Sequence, residues 1–408
     1  MKILFLSHYF PPEVNAPASR THEHARRWVA DGHRVTVITG VPNHPRGQMF
    51  SGYRNRWLQI EEIDGIRVIR TWMYITPNEG FVKRTLNYIL FAITAVLACF
   101  RAERPDVVVA TSPQFFCGLA GAVVALLKRR PFVLELRDLW PESIIALGAL
   151  ENTSAIRFLE WIETRLYRRA DAIVVNTRAF IDHVVGRGVS RSQIELVYNG
   201  VDLALFHPLP KDEELLEFHN LADKFVVAYI GTLGMAHGLM TILDAAEKMR
   251  YEPNIVFVLI GDGADRERLR CEIEKRGLEN VRMLGLRPHT EIPTWIASCD
   301  VMLAMLRDLE VFETVIPSKI FEYMAQERPV VLAAPKGECR ELLDLNQAGF
   351  TIEPEDPDAL VEVIEKIRNS PEQASNTAQA GRALVDRDFV RDDQARRMLE
   401  FLTKTVHS

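Results

Sequence analysis

The amino-acid sequence predicts an α/β protein built from two doubly wound, Rossmann-like domains with parallel sheets. Its 408 residues exceed one ordinary hydrophobic core and suit two domains of about 200 residues each. Apolar strand-like runs alternate with helical runs along the whole chain, which is typical of βαβ units. Prolines at residues 208 and 210, followed by a polar run, interrupt this alternation. The sequence therefore predicts one domain over residues 1–205 and another over residues 206–387.

The strand-like runs follow the same scheme in both halves of the chain. In the first half they cover residues 3–6, 35–39, 66–72, 107–111, 132–136, 172–176 and 194–198. In the second half they cover residues 225–230, 256–260, 281–284, 301–305, 330–334 and 349–352. Most neighbouring runs are separated by enough residues for a helix, so parallel pairing is expected.

Charge divides the chain where the domains divide. Residues 1–205 contain 25 Lys and Arg against 19 Asp and Glu, a net +6, and the remainder contains 24 against 36, a net −12. A basic half attracts nucleic acid or an anionic membrane, and the chain has no nucleic-acid motif. A membrane is therefore the expected partner of the first domain.

Cysteine usage and the N-terminus point to a reducing cytoplasm. The five cysteines are odd in number and widely spaced, which favours free thiols over disulfides or zinc ligands. The apolar run at the start, MKILFL, is short and lacks a small-residue cleavage site, so it predicts a first strand and not a signal peptide.

The most apolar segment is Leu86–Phe100, which is flanked by Lys83, Arg84, Arg101 and Arg104. Its fifteen residues fall short of the roughly 20 needed to span a bilayer. Two hypotheses stay open for it. One is a helix buried against the sheet, and the other, favoured by the basic flanks, is a helix that lies near a membrane surface.

The segment PSKIFEYMAQ, residues 317–326, predicts a helix after a proline-containing loop. Ser318 is placed to cap it, and Ile320, Phe321, Met324 and Ala325 form its apolar face. Lys319, Glu322, Tyr323 and Gln326 fall at i, i+3, i+4 and i+7 on another face. Because the next run reads as a buried strand, this helix is expected to open at the carboxyl edge of the sheet, where α/β proteins bind ligands. There Lys319 suits a diphosphate and Glu322 suits paired sugar hydroxyls; the alternative is a surface salt bridge between them.

Charged residues also follow the apolar run of residues 132–136. Arg137, Asp138 and Glu142 fall where the carboxyl edge of the first sheet is expected, and so are candidates for a ligand site. A structural Arg–Asp pair is the alternative.

Two glycine turns come directly after apolar runs in the second half. They are GTLGMAHG, residues 231–238, and GDG, residues 261–263. Glycine lets backbone N–H groups approach a phosphate closely. The dinucleotide-binding pattern G-x-G-x-x-G is absent after the first run, which argues against a dehydrogenase.

Together with YNGVD at residues 198–202, these motifs resemble glycosyltransferase family 4, whose GT-B architecture places two Rossmann-like domains across a cleft. FPPE (residues 10–13), PNHPRG (42–47) and RDLWPES (137–143) are similar in particular to bacterial members that build O-antigen and capsule repeat units, including transferases of N-acetylfucosamine. The resemblance covers essentially the whole chain. It also implies that residues 388–408 return to the first domain.

The resemblance implies a retaining transferase that binds a UDP-sugar on its second domain. Its donor site would comprise Gly231, Thr232, Gly234, His237, Gly261, Asp262, Gly263, Arg287, Ser318, Lys319 and Glu322. Glu322 would bind the ribose, and Arg287 would lie near the base. No metal and no cofactor besides the donor is expected, since a cation and a helix N-terminus can offset the charge of the leaving diphosphate.

The sequence departs from the family pattern at two positions. His237 stands where a lysine usually precedes the glycine of the first turn, and Thr314 stands where the first acid of the E-x7-E pair is usual. Lys319 is then the expected source of the missing positive charge. Asp138 is the expected residue to orient the acceptor, with Arg137 beside it.

These features predict a cytoplasmic enzyme at the inner face of the membrane that acts on an isoprenoid-diphosphate-linked saccharide. Two alternatives from other classes stay open. One is a hydrolysing UDP-N-acetylglucosamine-type 2-epimerase, and the other is a non-catalytic nucleotide-sugar-binding protein.

Overall fold

The computed structural model describes residues 1–44, 47–76, 81–112, 115–142, 145 and 152–407. The chain forms two compact units, Met1–Asn199 with Arg391–Ser408, and Gly200–Val390. The chain therefore changes unit at Gly200 and Arg391, whereas the sequence predicted residues 206 and 388.

The secondary structure alternates as follows. The strands are β1 (Lys2–Leu6), β2 (Arg34–Gly40), β3 (Leu58–Ile63), β4 (Ile66–Thr71), β5 (Val107–Thr111), β6 (Phe132–Leu136), β7 (Ala172–Val175), β8 (Ile194–Leu196), β9 (Phe225–Ile230), β10 (Ile255–Ile260), β11 (Val281–Gly285), β12 (Val301–Met305), β13 (Val330–Ala333) and β14 (Phe350–Ile352). The described helices are α1 (Ala16–Ala30), α2 (Phe81–Ala98), α3 (Phe115–Lys128), α4 (Thr153–Arg169), α5 (Arg178–Gly186), α6 (Glu213–Phe218), α7 (Met240–Lys248), α8 (Arg266–Arg276), α9 (Ile292–Ser298), α10 (Lys319–Ala325), α11 (Glu338–Asn346), α12 (Pro357–Asn369), α13 (Pro371–Asp388) and α14 (Arg391–His407).

The first unit contains an eight-stranded sheet in the order β3-β4-β2-β1-β5-β6-β7-β8. Every neighbouring pair is parallel except β3 and β4, which form an antiparallel pair. Helices α2, α3 and α4 contribute to the core on one side of this sheet. Trp28 of α1 and Met398 of α14 contribute to the core on the other side.

The second unit contains a six-stranded, wholly parallel sheet in the order β11-β10-β9-β12-β13-β14. Strands β10 and β11 extend from one side of β9, and β12, β13 and β14 extend from the other. The strand order therefore reverses at β9, and ligands of open α/β sheets bind beyond the carboxyl ends of the strands at such a reversal. The turn after Ile230 occupies that point.

Candidate functional site

The two glycine turns of the second unit lie backbone to backbone. Gly231 N–H donates to the Ile260 carbonyl at 2.8 Å, and Leu233 N–H donates to the Asp262 carbonyl at 3.0 Å. Gly261 has φ of +147°, and a Cβ at this position would lie 1.8 Å from the Gly231 carbonyl oxygen. A Cβ on Gly263 would lie 2.3 Å from the Leu233 carbonyl oxygen. Glycine at 261 and 263 is therefore required by the contact between the turns.

Lys319, the first residue of α10, places its ammonium against the first turn. A Cβ on Gly231, whose φ is +141°, would lie 2.6 Å from Lys319 Nζ. Nζ is also 3.8 Å from the centroid of the Tyr229 ring. It is buried and has no hydrogen-bond partner among the described residues. The alternative of a surface salt bridge with Glu322 is therefore wrong, because this ammonium does not reach solvent.

An unpaired, buried ammonium is unstable in its charged form. Burial lowers the pKa of Lys319 to about 7, although the nearby carboxylate of Glu322 acts in the opposite direction. Cation–π attraction from Tyr229 offsets only part of the lost hydration. The group that fits beside this nitrogen is an anion, because an anion supplies both the missing hydrogen bond and the missing charge.

Two tyrosines fix the geometry around Lys319. The Tyr323 hydroxyl donates to the Ile230 carbonyl at 3.0 Å and accepts from the Ile230 N–H at 3.3 Å. The Tyr229 hydroxyl donates to the Thr232 carbonyl at 2.8 Å. The two Tyr323 bonds join α10 to the end of β9, and the Tyr229 bond braces the turn. Neither tyrosine was predicted as a site residue. The available sequence signal was their position, since Tyr229 lies shortly before Gly231 and Tyr323 lies one helical turn after Lys319.

The second predicted face of α10 is partly covered by the protein. Tyr323 and Gln326 are buried, whereas Glu322 is half-buried. The reason is that α10 packs against α13 as well as against β12 and β13, so more than one face is covered. The predicted side-chain cap is also wrong, because Ser318 has helical dihedral angles and its hydroxyl makes no capping bond. The apolar face is confirmed, and its four predicted residues are all buried.

His237 lies at the end of a short 3-10 turn, Met235–His237, that begins after Gly234. Its Nδ1 donates to the Met305 carbonyl at 3.1 Å, because a carbonyl oxygen can only accept. Burial, and then the charge of Lys319, lower the pKa of His237 to about 4. The imidazole is therefore neutral at pH 7 and does not replace the missing lysine.

Asp262 and Arg287 belong to the same edge of the sheet. The Asp262 carboxylate accepts the N–H of the next residue, Gly263, at 2.9 Å. Arg287 follows β11, whose last residue, Gly285, accepts the N–H of Gly261 at 3.0 Å. The guanidinium lies 5.8 Å from the Trp295 ring centroid. The structure thus gathers the predicted donor residues along the ends of β9, β10 and β11 and the start of α10.

Arg137 and Asp138 lie in the first unit, directly after β6. Arg137 N–H donates to Ser112 Oγ at 2.9 Å, and its Nη2 donates to the Ala16 carbonyl at 3.3 Å. Its Nε and Nη1 are buried and have no partner among the described residues. Burial lowers the pKa of this guanidinium, and Glu135 opposes that change. Ser143 of the RDLWPES motif lies outside the described residues.

Glu13 of the FPPE motif is a further buried carboxylate that was not predicted as a site residue. Oε1 accepts the N–H groups of Asn43 at 3.0 Å and His44 at 2.9 Å, and Oε2 accepts the N–H of Phe10 at 3.3 Å. The loop after β1 is thereby joined to the loop after β2. Pro45 and Arg46 of the second loop lie outside the described residues.

Comparison with known proteins assigns a family model to most of each unit. Residues 15–200 match the model described as glycosyl transferase 4-like domain, and residues 211–384 match glycosyl transferases group 1. The putative colanic acid biosynthesis glycosyl transferase WcaI of Escherichia coli is 25% identical over 400 residues, which cover 96% of this chain and 98% of WcaI. The probable glycosyltransferase WbjE of Pseudomonas aeruginosa is 27% identical over 274 residues, or 65% of this chain and 67% of WbjE.

Solved structures share the fold. Anabaena HepE, crystallised with UDP-glucose, superimposes with a TM-score of 0.72 at 20% identity over 99% of this chain and all of HepE (100%). Sucrose-phosphate synthase of Thermosynechococcus elongatus superimposes with a TM-score of 0.77 at 18% identity, over 99% of this chain and 98% of the synthase. The predicted fold of two doubly wound parallel-sheet units is confirmed.

Proposed function

Because the chain is a family 4 glycosyltransferase with the GT-B fold, we propose that it moves a sugar from a UDP-linked donor to a lipid-linked saccharide in surface-polysaccharide synthesis. The relatives support this role, since WcaI is named for colanic acid biosynthesis. HepE supports the choice of UDP, since it was crystallised with UDP and with UDP-glucose.

The ammonium of Lys319 carries the proposal, because it is buried against the Gly231 turn and has no hydrogen-bond partner in the part of the chain that the structure describes. A diphosphate on this turn gives Nζ an anionic partner and keeps it protonated. Glu322, one helical turn further on, is placed to accept hydrogen bonds from the ribose hydroxyls. Arg287 stands further along the same edge, on the side proposed for the base.

In the proposed reaction, the bond between the anomeric carbon and the diphosphate oxygen breaks, and a bond from an acceptor hydroxyl oxygen forms on the same face. The hydroxyl proton moves to an oxygen of the leaving diphosphate, and UDP departs. Negative charge grows on that diphosphate as the bond breaks, and protonated Lys319 stabilises it without a divalent metal. Asp138 orients the acceptor, and Arg137 supports this edge of the first unit.

The acceptor is proposed to be an isoprenoid-diphosphate-linked saccharide at the inner face of the membrane. Two features support this part of the proposal. The names of the relatives concern polysaccharides of the cell surface, and residues 1–205 have a net charge of +6, from 25 basic and 19 acidic residues.

The proposal is tested by calorimetric titration of UDP and of a panel of UDP-sugars, together with a UDP-release assay. The panel includes UDP-N-acetylglucosamine and UDP-N-acetyl-L-fucosamine, and the acceptor is a lipid-linked saccharide preparation. We expect UDP to bind and one donor to be consumed only when acceptor is present, with no change on addition of a chelator. Formation of a 2-epimer from the donor alone would support the epimerase. Binding without turnover across the panel would support a binding protein.

A further inference from the structure

The outer surface of α2 and α3 carries an open apolar groove of about 410 Å³. All of its lining residues are apolar, and they come from both helices; they include Ile89, Ile93, Leu97, Phe116, Leu119 and Val123. Ile93 is 51% exposed, and Phe100, just beyond α2, is 68% exposed. Contiguous apolar surface of this kind on two adjacent helices marks an interaction site.

The groove ends in a cluster of cations. Helices α2 and α3 run in the same direction, since each connects parallel strands, so their C-termini lie at the same edge of the sheet. Contact between these ends is direct, since Lys128 Nζ donates to the Ala102 carbonyl at 3.0 Å. The basic residues that follow the two helices are Arg101, Arg104, Lys128, Arg129 and Arg130. Lys83 and Arg84 lie in the first turns of α2, towards the opposite end.

The acidic residues of the same stretch are already engaged. Between residues 81 and 130 the sequence contains Glu103 and Asp106 as its two acids. Glu103 pairs with Lys2 at 3.1 Å, and Asp106 accepts the backbone N–H of Lys2 at 2.7 Å. The cations that border the groove are therefore not neutralised by the acids within this stretch.

We propose that the groove between α2 and α3 is a membrane-docking surface, which places exposed apolar side chains of both helices among the lipids of an anionic bilayer. The basic clusters at its two ends then contact anionic headgroups. This proposal rests on the proposed function, since a lipid-linked acceptor requires the enzyme to work at a bilayer.

In this proposal α2 lies on the bilayer and does not cross it. Within the described residues, Lys83–Arg101 is the one helical stretch long and apolar enough to span, with 33% of it buried in the protein. Its inner side, including Phe91 and Ala95, packs in the core of the first unit and is fully buried. Spanning would pull these side chains out of the core, whereas lying flat leaves them in place.

A bilayer fits this surface better than a second copy of the chain. In a symmetric dimer the same surface meets itself, so the basic clusters of one protomer would approach those of the other. Anionic headgroups reverse the sign of that interaction. Charge thus selects the lipid surface over self-association.

The test is flotation of the full-length protein with vesicles of phosphatidylethanolamine, with and without phosphatidylglycerol. We expect binding to the anionic vesicles that weakens as salt is added. Substituting Leu97→Asn together with Val123→Asn should reduce binding by about a hundredfold, because two exposed apolar side chains that the bilayer would bury are lost. Arg101→Gln with Arg129→Gln should reduce it by about twentyfold at low salt. The control, Phe218→Asn with Leu345→Asn, alters two apolar residues of the second unit that are even more exposed than Leu97 and Val123, and it should bind as the wild type does.

UDP titration and analytical ultracentrifugation accompany each variant. The proposal is supported if the groove variant keeps its UDP affinity and melting temperature and loses vesicle binding. Equal binding by the groove variant and the control would overturn it, as would a wild-type dimer that the groove variant converts to a monomer. Failure of the wild type to bind UDP would contradict the proposed function. The flotation assay would then decide the membrane-docking proposal alone.

Discussion

The hydroxyl of Tyr323 is hydrogen-bonded to both backbone groups of Ile230, donating to the carbonyl at 3.0 Å and accepting from the N–H at 3.3 Å. Ile230 is the last residue of β9, and Tyr323 lies four residues after Lys319, on the same helix. This pair therefore sets the position of the Lys319 ammonium relative to the glycine turn.

Tyr323→Phe tests this link. The substitution leaves buried backbone groups without their partner, so we expect the free energy of unfolding to fall by about 1–3 kcal/mol. UDP affinity should fall as well, because the start of α10 is no longer held against the turn. Denaturant unfolding and calorimetry measure the two effects. A variant with lower stability and unchanged UDP affinity would mean that the bond is structural and does not position the site.

Lys319→Ala should lower kcat by about a hundredfold, with a smaller effect on donor binding. The reason is that charge on the diphosphate grows as the bond to the sugar breaks, so the ammonium contributes most in the transition state. Lys319→Arg should restore part of the rate, and His237→Lys in the Lys319→Ala background should do the same. Lys275→Ala, which removes an exposed lysine of α8, is the control. Near-normal turnover by Lys319→Ala would place the charge elsewhere, with Arg137 or Arg287 next in line.

UDP binding should take up a proton above neutral pH. Burial lowers the pKa of Lys319 from 10.5 to about 7, so the free enzyme holds this lysine mostly neutral at pH ~8. A bound diphosphate favours the charged form and raises the pKa again, which requires uptake of about one proton. UDP affinity should therefore fall as the pH rises from ~7 to ~9. Titrations in buffers of different ionisation enthalpy measure the uptake, which should vanish in Lys319→Met and persist in Lys275→Met.

The lowered pKa of Lys319 also makes the stability of the folded protein depend on pH. The folded-state pKa of Lys319 lies below the unfolded value, so the stability present above pH 10.5 is lost progressively as the pH falls from 10.5 to about 7, where the loss is complete. Lys319→Met should therefore gain stability relative to the wild type as the pH is lowered from ~10 to ~7, with no further gain below that range, and denaturant unfolding at several pH values measures the difference.

Glu322→Ala should weaken UDP binding by about 1.5–3 kcal/mol, the range for a lost charge-assisted hydrogen bond. The fold should survive, because Glu322 is half-buried and makes no part of the core. Calorimetry with UDP and with free pyrophosphate separates the two ends of the ligand, since pyrophosphate has no ribose. Equal losses for both ligands, or none, would refute the assignment of Glu322 to the ribose.

Gly261→Ala should disrupt the second unit, because a Cβ would lie 1.8 Å from the Gly231 carbonyl oxygen at a φ of +147°. Gly186→Ala is the matched control, since its Cβ would meet no heavy atom of the described residues within 4 Å and its backbone is helical. Thermal melting of both variants checks the difference. A Gly261→Ala protein as stable as the control would mean that the two turns separate easily.

Most of the fold could be predicted from the sequence because a strand that is buried on both faces of a parallel sheet consists of a continuous run of apolar residues. Thirteen predicted strand segments correspond to strands of the two sheets, and among the residues that the structure describes the missed strand is β3, LQIEEI. It lies at the sheet edge with alternating exposed residues, and its antiparallel pairing with β4 follows the Asp64-Gly65 turn. An edge strand needs little apolar sequence, which is why the apolar-run criterion overlooked it.

The site was predicted less completely. The spacing of residues along the sequence predicts a helix such as α10, but it does not show which other elements pack against that helix. The spacing placed Lys319 and Glu322 on the same face, but it did not show that Lys319 Nζ is buried over Tyr229. Which side of a short helix packs against a neighbour depends on long-range contacts, here with α13. Ser318 likewise had the residue type of a cap but not the dihedral angles. The roles of the predicted site residues remain predictions until the variants above are measured.

The first unit is closed by the last helix of the chain. Trp28 Nε1 donates to the Ala395 carbonyl at 2.9 Å, and Met398 and Leu402 complete the core that contains Trp28. During synthesis the ribosome must therefore finish the whole second unit before the first can bury this core. A chain that stops shortly before residue 391 would contain every residue of the first unit up to Asn199. Its first unit would still be unstable, because the core around Trp28 would lack the side chains of α14.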